Sequence, residues 1–250
     1  MITIDLKAPK SWEELTDNQL RYVFGLISQG LTAPELKTYC LIHWSGMQVM
    51  HKYGKGWMCK FADDEFVVTA EQVNAAIGSL NWLDKVPAMP HRIEKIGKHR
   101  ALPADFQEVP FETFIICDNL YQGYLSTKNE KLLDYLAAHL YESNDLKLTD
   151  AERLNVFYWF ASLKAHLAHE FSHLFTPVIN IDGGVNMFMP EVSQYNLLKD
   201  AVNAQIRALT KGDVTKEKEV LAIDTWRALT ELDALAKEYD EFNRKYPSTH

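Results

Sequence analysis

The sequence predicts a mainly α fold, a helical domain with a small β-hairpin insertion and a long C-terminal helical hairpin. Three observations carry that expectation. Hydroxyl residues followed three positions later by an acid or amide recur along the chain, and such pairs satisfy the open amides of a helix's first turn. One stretch, near residues 47 to 68, sets β-favouring runs on either side of a glycine-flanked turn. The last 30 residues place apolar side chains at steps of four and three, the repeat of a packed helix pair.

In chain order, Ser11/Glu14, Thr16/Gln19 and Thr32/Glu35 mark the first helix starts. Gly30 is placed to end one helix, and Pro34 sits early in the next, where its missing N–H costs nothing. The hairpin is expected over Met47–Tyr53 and Trp57–Phe61 around Gly54-Lys55-Gly56, with Glu65–Val68 as a third strand. Thr69/Gln72 then signals a return to helix. From Val86 to Pro110, Pro87, Pro90, Pro103 and Pro110 prevent a long helix, while Arg92, Lys95, Lys98 and Arg100 concentrate positive charge. That basic run has no aromatic interleaving and reads as a solvated loop.

Helices resume over Phe111–Leu125, Glu130–Glu142 and Asp150–Phe175, the last capped by Thr149/Glu152. A loop with Asp182-Gly183-Gly184 follows, then a helix from Glu191 to Thr210. A final helix from Lys216 to Lys245 is expected to fold back at Gly212. Residues 1–110 and 111–250 form two regions on this reading, or one continuous domain.

With 250 residues, 47% of them apolar, the chain has material for a substantial core. A net charge of −8 argues against a nucleic-acid coat, which needs an excess of Lys and Arg to displace counterions. Cys40, Cys59 and Cys117 are odd in number and widely spaced, so they suggest neither a disulfide framework nor a cysteine zinc site. The start, Met-Ile-Thr-Ile-Asp-Leu-Lys, has no secretory pattern, and no apolar run approaches a membrane span. A cytoplasmic protein, or one incorporated in a virion, is expected. Gly-rich phosphate loops and the nucleophile-elbow motif do not occur in the sequence.

One string names a chemistry. His169-Glu170-Phe171-Ser172-His173 places two imidazoles four positions apart on an expected helix, where they can share a zinc ion with Glu170 as general base. A catalytic zinc site takes three protein ligands, and the third is the difficulty. Position 179, where a metzincin-like pattern puts a histidine, is Ile179. Glu191 lies at a distance used by other zinc peptidases, and His166 lies one turn upstream. Zinc peptidases also present a substrate-binding edge strand before the motif helix, whereas residues 132–174 read as helix after helix. Ser162, His166, His169 and His173 instead describe the polar stripe of an amphipathic helix backed by Phe157, Phe160, Leu167, Phe171 and Leu174. The expectation is no metal and no cofactor, with zinc peptidase chemistry as the alternative.

The final helix carries a different signal. Leu221, Thr225, Ala228, Leu232, Leu235, Tyr239, Phe242 and Tyr246 fall on one stripe. It can pack within the chain, meet a partner protein, or support self-association, and Leu232, Leu235, Tyr239 and Phe242 are the candidate partner-binding residues.

Three stretches resemble proteins of the tail modules of phages and prophages of gut bacteria. They are Ser11-Trp12-Glu13-Glu14-Leu15-Thr16; Val109-Pro110-Phe111-Glu112-Thr113-Phe114 with Asn119-Leu120-Tyr121-Gln122-Gly123-Tyr124; and residues 209–242. The proteins resembled are mainly helical tail-assembly or structural accessory proteins. The resemblance implies a cytosolic protein made during virion assembly that acts by binding other phage proteins, and it carries over no active-site residues; hydropathy and net charge, as above, add the expectation of no membrane and no nucleic acid.

Overall fold

A computed structural model describes residues 8–85, 87, 89–175 and 203–245. The chain is mainly α-helical with a small antiparallel sheet, as the patterning predicts. The described residues divide into two compact units, one within 1–93 with 148–155, the other within 94–147 with 156–245. The expected division at 110 thus meets a different grouping, in which one long helix contributes its first residues to the first unit.

In the first unit, α1 (Asp17–Ser28) begins where Thr16 accepts from the amide of Gln19 and Gln19 returns the bond to the amide of Thr16. Its inward stripe is Leu20, Val23 and Phe24, and Gly30 takes the left-handed conformation that follows it. At the start of α2 (Ala33–Ser45), both the amide and the hydroxyl of Thr32 donate to Glu35, and Gly46 at φ 71° closes the helix. The ammonium of Lys37, on α2, is buried because Asn81 and Asp84 both receive it. Not every cap signal forms a helix. Glu14 accepts from the amide of Lys10, the Ser11 side chain makes no cap bond, and only a 3₁₀ turn at Trp12–Glu14 results.

The hairpin becomes a three-stranded sheet of β1 (Gln48–Tyr53), β2 (Gly56–Phe61) and β3 (Asp64–Thr69) in that order. Both glycines of the first turn are accounted for. Gly54 sits at φ 57°, and a Cβ on Gly56 would come 2.5 Å from the carbonyl oxygen of Val68. Thr69 then caps α3 (Ala70–Ile77) through the reciprocal bonds with Gln72. Trp12, Trp44 and Trp82 assemble nearby, with Trp44 stacked on Trp82 and the Trp12 indole donating to the carbonyl of Lys85. α6 (Asp150–Glu170) starts in this unit, where Glu152 takes the amide and hydroxyl of Thr149 and the guanidinium of Arg21.

The basic run corrects the solvated-loop expectation in part. Lys95–Ile96 (β4) and His99–Arg100 (β5) pair across Gly97, Ile96 is buried, and Glu94 binds Arg100. After it come α4 (Phe111–Thr127), α5 (Lys131–Leu140), the remainder of α6, a helical stretch over residues 203–210 (α7), α8 (Glu217–Ala222) and α9 (Thr225–Lys245). Trp159, Phe160, Leu163 and Leu167 make the middle of α6 the centre of this unit. The proline-rich loop 101–110 is clamped rather than loose. Trp159 donates to the carbonyl of Ala104, Trp226 to that of Asp105, and Thr225 to that of Val109. Between them Phe106 is fully buried despite φ 63°, with Phe114, Trp159 and Phe160 edge-on to its ring. Burial of so large a ring offsets the backbone strain of that conformation.

The last helix begins later than expected. α8 ends at Ala222, and Asp224 caps α9 by accepting the amides of Arg227 and Glu108. The turn before α8 follows the predicted hinge, where the amides of Lys211 and Gly212 bond back to the carbonyls of Ala208 and Arg207, both residues at positive φ. All three cysteines are free and buried, Cys40 and Cys59 in the first unit and Cys117 in the second.

Candidate functional site

The histidine motif lies at the end of α6, which stops at Glu170, inside the motif. His169 is on the last turn with its ring 85% exposed, and its Nδ1 lies 3.1 Å from Glu170 Oε1. The helical ladder runs on to Phe171, whose amide bonds to the carbonyl of Leu167, and is interrupted after it. The amides of His173 and Leu174 both go to Asp233 Oδ1 on α9, at 2.8 Å each, so His173 does not close a turn onto His169. This departs from the two imidazoles on one regular helix that a shared zinc requires. His166 is half-buried against Trp226, with ring centroids 5.8 Å apart. Glu191 lies outside the described residues, and among those described no three His, Cys, Asp or Glu side chains gather as a metal would need.

The expected polar stripe also changes character. Ser162 is buried, so the stripe is solvated only at its His169 end. On the other face Phe160, Leu167 and Phe171 are buried as predicted, while Phe157 and Leu174 are half-buried. Phe171 packs on Trp226, 5.3 Å between centroids, and this contact with the Asp233 bonds fastens the end of α6 to α9. The chemistry visible here is that of a helix terminus held in place.

The seam on α9 divides in two. Ala228, Leu229 and Leu232 are buried in the second unit, and Thr225 is spent on the carbonyl of Val109. Leu232 therefore belongs to the core rather than to a partner surface. Beyond it Leu235, Tyr239 and Phe242 are exposed, at 41%, 67% and 60%, while Tyr246 lies outside the described residues. Leu221, the first member, stands on α8 instead.

A second surface was not singled out by the sequence. All six residues of β1 are exposed, including Val49, Met50 and Tyr53, and Trp57 and Val67 of β2 and β3 join them. Under the sheet, between it, α2 and α3, opens a cavity of about 440 Å³ walled by Leu41, Ile42, Val49, Trp57, Cys59 and Val73. Burial in this wall pushes the Cys59 thiol above its ordinary range. The available signal was composition: the run Met47–Tyr53 puts apolar residues on both faces, which a strand covered on one side only does not need.

No helix among the described residues is long and apolar enough to cross a membrane. No protein-family model matches the chain, and no curated protein or solved structure matches it either.

Proposed function

We propose that the protein is a non-enzymatic binding protein of a phage or prophage tail module, acting in assembly or structure through contacts with other proteins. The carrying observation is the division of the α9 seam. Its first half anchors the helix, and its continuation presents Leu235 and Tyr239 to solvent at the same spacing. Large apolar side chains cost free energy in water and are the usual anchors of protein contacts, tyrosine above all. The tail-module context comes from the resemblance of the three stretches described above, and the acidic net charge suits a protein partner better than a nucleic acid.

The test is cross-linking in cells that assemble virions. A photo-reactive side chain placed at Glu238, exposed beside Leu235 one turn further along α9, is expected to link to a virion structural protein, and a Leu235→Asp, Tyr239→Asp variant to lose that link while staying folded. A protein that forms no such link, and whose biological activity disappears with Glu170→Gln, would overturn the proposal in favour of zinc peptidase chemistry.

A further inference from the structure

We propose that β1 and the cavity beneath it form a docking site for one extended segment of a partner protein, acidic in charge and carrying a large apolar side chain. The segment adds as a fourth strand beside β1, and its apolar side chain enters the cavity. This rests on the protein-binding role proposed above and assigns it a second surface and a mode.

Four observations converge on this place. β1 is an edge of the sheet, pairing only with β2 among the described residues, and it is exposed along its whole length. An uncovered edge presents unpaired amides and carbonyls, which is what strand addition uses. The cavity opens beside that edge, because Val49 is at once a residue of β1 and part of the cavity wall. In register, Val49 lies opposite Cys59, which is opposite Phe66, so these three share the sheet face turned to the cavity. A residue placed opposite Val49 on an added strand shares that face too, with its Cβ about 5 Å from that of Val49, itself part of the cavity wall.

Charge supplies the chemistry of the occupant. From Gln48 to Gly56 the chain carries His51, Lys52 and Lys55 and no acid, whereas Asp63, Asp64 and Glu65 belong to the far side of the sheet. A strand laid on β1 therefore meets positive charge near the first turn and apolar surface near Val49. Pairing of β1 with β1 of a second copy would set these basic residues against each other. The bulge between Val49 and His51 also limits a regular ladder, so the edge suits a short segment better than stacking of many copies. A volume of about 440 Å³ with apolar walls and Thr38 and Asn74 among its lining has ample room for an aromatic or branched side chain.

The probe is a capped hexapeptide, Glu-Val-Glu-Phe-Asp-Val, labelled for fluorescence polarisation with the full-length protein. Binding is expected to weaken about tenfold when Phe is replaced by Ala, the usual order for removing a pocket anchor. It is expected to vanish when alternate peptide amides are N-methylated, which removes the ladder donors and leaves the side chains. Lys52→Glu with Lys55→Glu should weaken it by a similar factor and restore binding to the peptide written with Lys in place of Glu and Asp. These two side chains are exposed, so the variant leaves the core untouched.

Absence of binding at millimolar peptide overturns the proposal. So does equal binding of the N-methylated peptide, or binding of a free phenyl compound to the cavity with none of the peptide. Self-association abolished by Asp64→Lys with Glu65→Lys would assign the β1 edge to a second copy and likewise overturn it. If the peptide fails while the cross-link at Glu238 persists, the strand site is wrong and the binding role stands. Loss of both refutes the binding role itself.

Discussion

Exchanging Glu152 for glutamine removes one charge at the point where α6 begins and leaves the shape of the side chain almost unchanged. The carboxylate accepts the amide and hydroxyl of Thr149 at 3.0 Å each and Arg21 Nε at 2.9 Å, with its own side chain only 9% exposed. Hydrogen bonds to a charged group stabilise by about 1.5–3 kcal/mol. Because Arg21 is 31% exposed and water screens the pair, the lower part of that range applies, about 2 kcal/mol at pH 7. For a chain of this length that lowers the melting temperature by about 4–8 °C.

The pH dependence gives this prediction its sign. Burial works to raise the Glu152 pKa, and the Thr149 amide, the Arg21 guanidinium and the Thr149 hydroxyl outweigh it, leaving the group below the ordinary value of 4.5. A depressed carboxyl stabilises the fold fully above its unfolded pKa and ceases to do so as pH falls through the folded value. Glutamine mimics the protonated form, so melting curves of Glu152→Gln and the parent protein, followed by circular dichroism, should differ at pH 7, with the gap narrowing toward pH 3. A gap that is the same at both pH values, or smaller than about 0.5 kcal/mol at pH 7, would refute the reasoning.

Three other outcomes are expected. Lys128 ends α4 at φ 55° with its amide bonded to the carbonyl of Tyr124, so Lys128→Gly should raise stability by about 0.5–1 kcal/mol in urea unfolding. Asp224→Ala, which strips the α9 cap and frees the Glu108 amide, should lower it by about 1–2 kcal/mol by the same measurement. His169→Ala should change stability by no more than about 0.5 kcal/mol, and elemental analysis of protein purified without a histidine tag should find no stoichiometric zinc. One zinc per chain, lost on mutating His169 and His173 together, would contradict the last.

Helix starts were legible in the sequence because capping is local. Thr16, Thr32, Thr69 and Thr149 each form their box with the residue three positions on, whatever the rest of the chain does. At Ser11 the box does not form, and Glu14 accepts from the amide of Lys10, one residue further away, instead. The hairpin was equally local, fixed by Gly54 and by the close approach at Gly56. Long-range outcomes were not legible. The loop 101–110 reads as a proline-rich connector, and its role depends on two tryptophans 55 and 121 residues further along the chain. Asp233 looks like one more surface acid on a heptad helix, yet it ends the histidine helix within the motif. Likewise the α9 stripe shows its period in the sequence, while the place where the core stops covering it, between Leu232 and Leu235, is a property of the fold.

The buried thiols turn the two units into separately readable objects. Burial pushes Cys40 up to about 12 and Cys117 higher still, so neither forms appreciable thiolate while its surroundings stay closed. Alkylation in native buffer is then limited to the brief openings that admit water and reagent, and its rate converts to an opening free energy. Cys40 reports such openings for the first unit and Cys117 for the second. Mass spectrometry of a single labelled sample thus gives two stabilities from one chain, without denaturant and without an introduced probe.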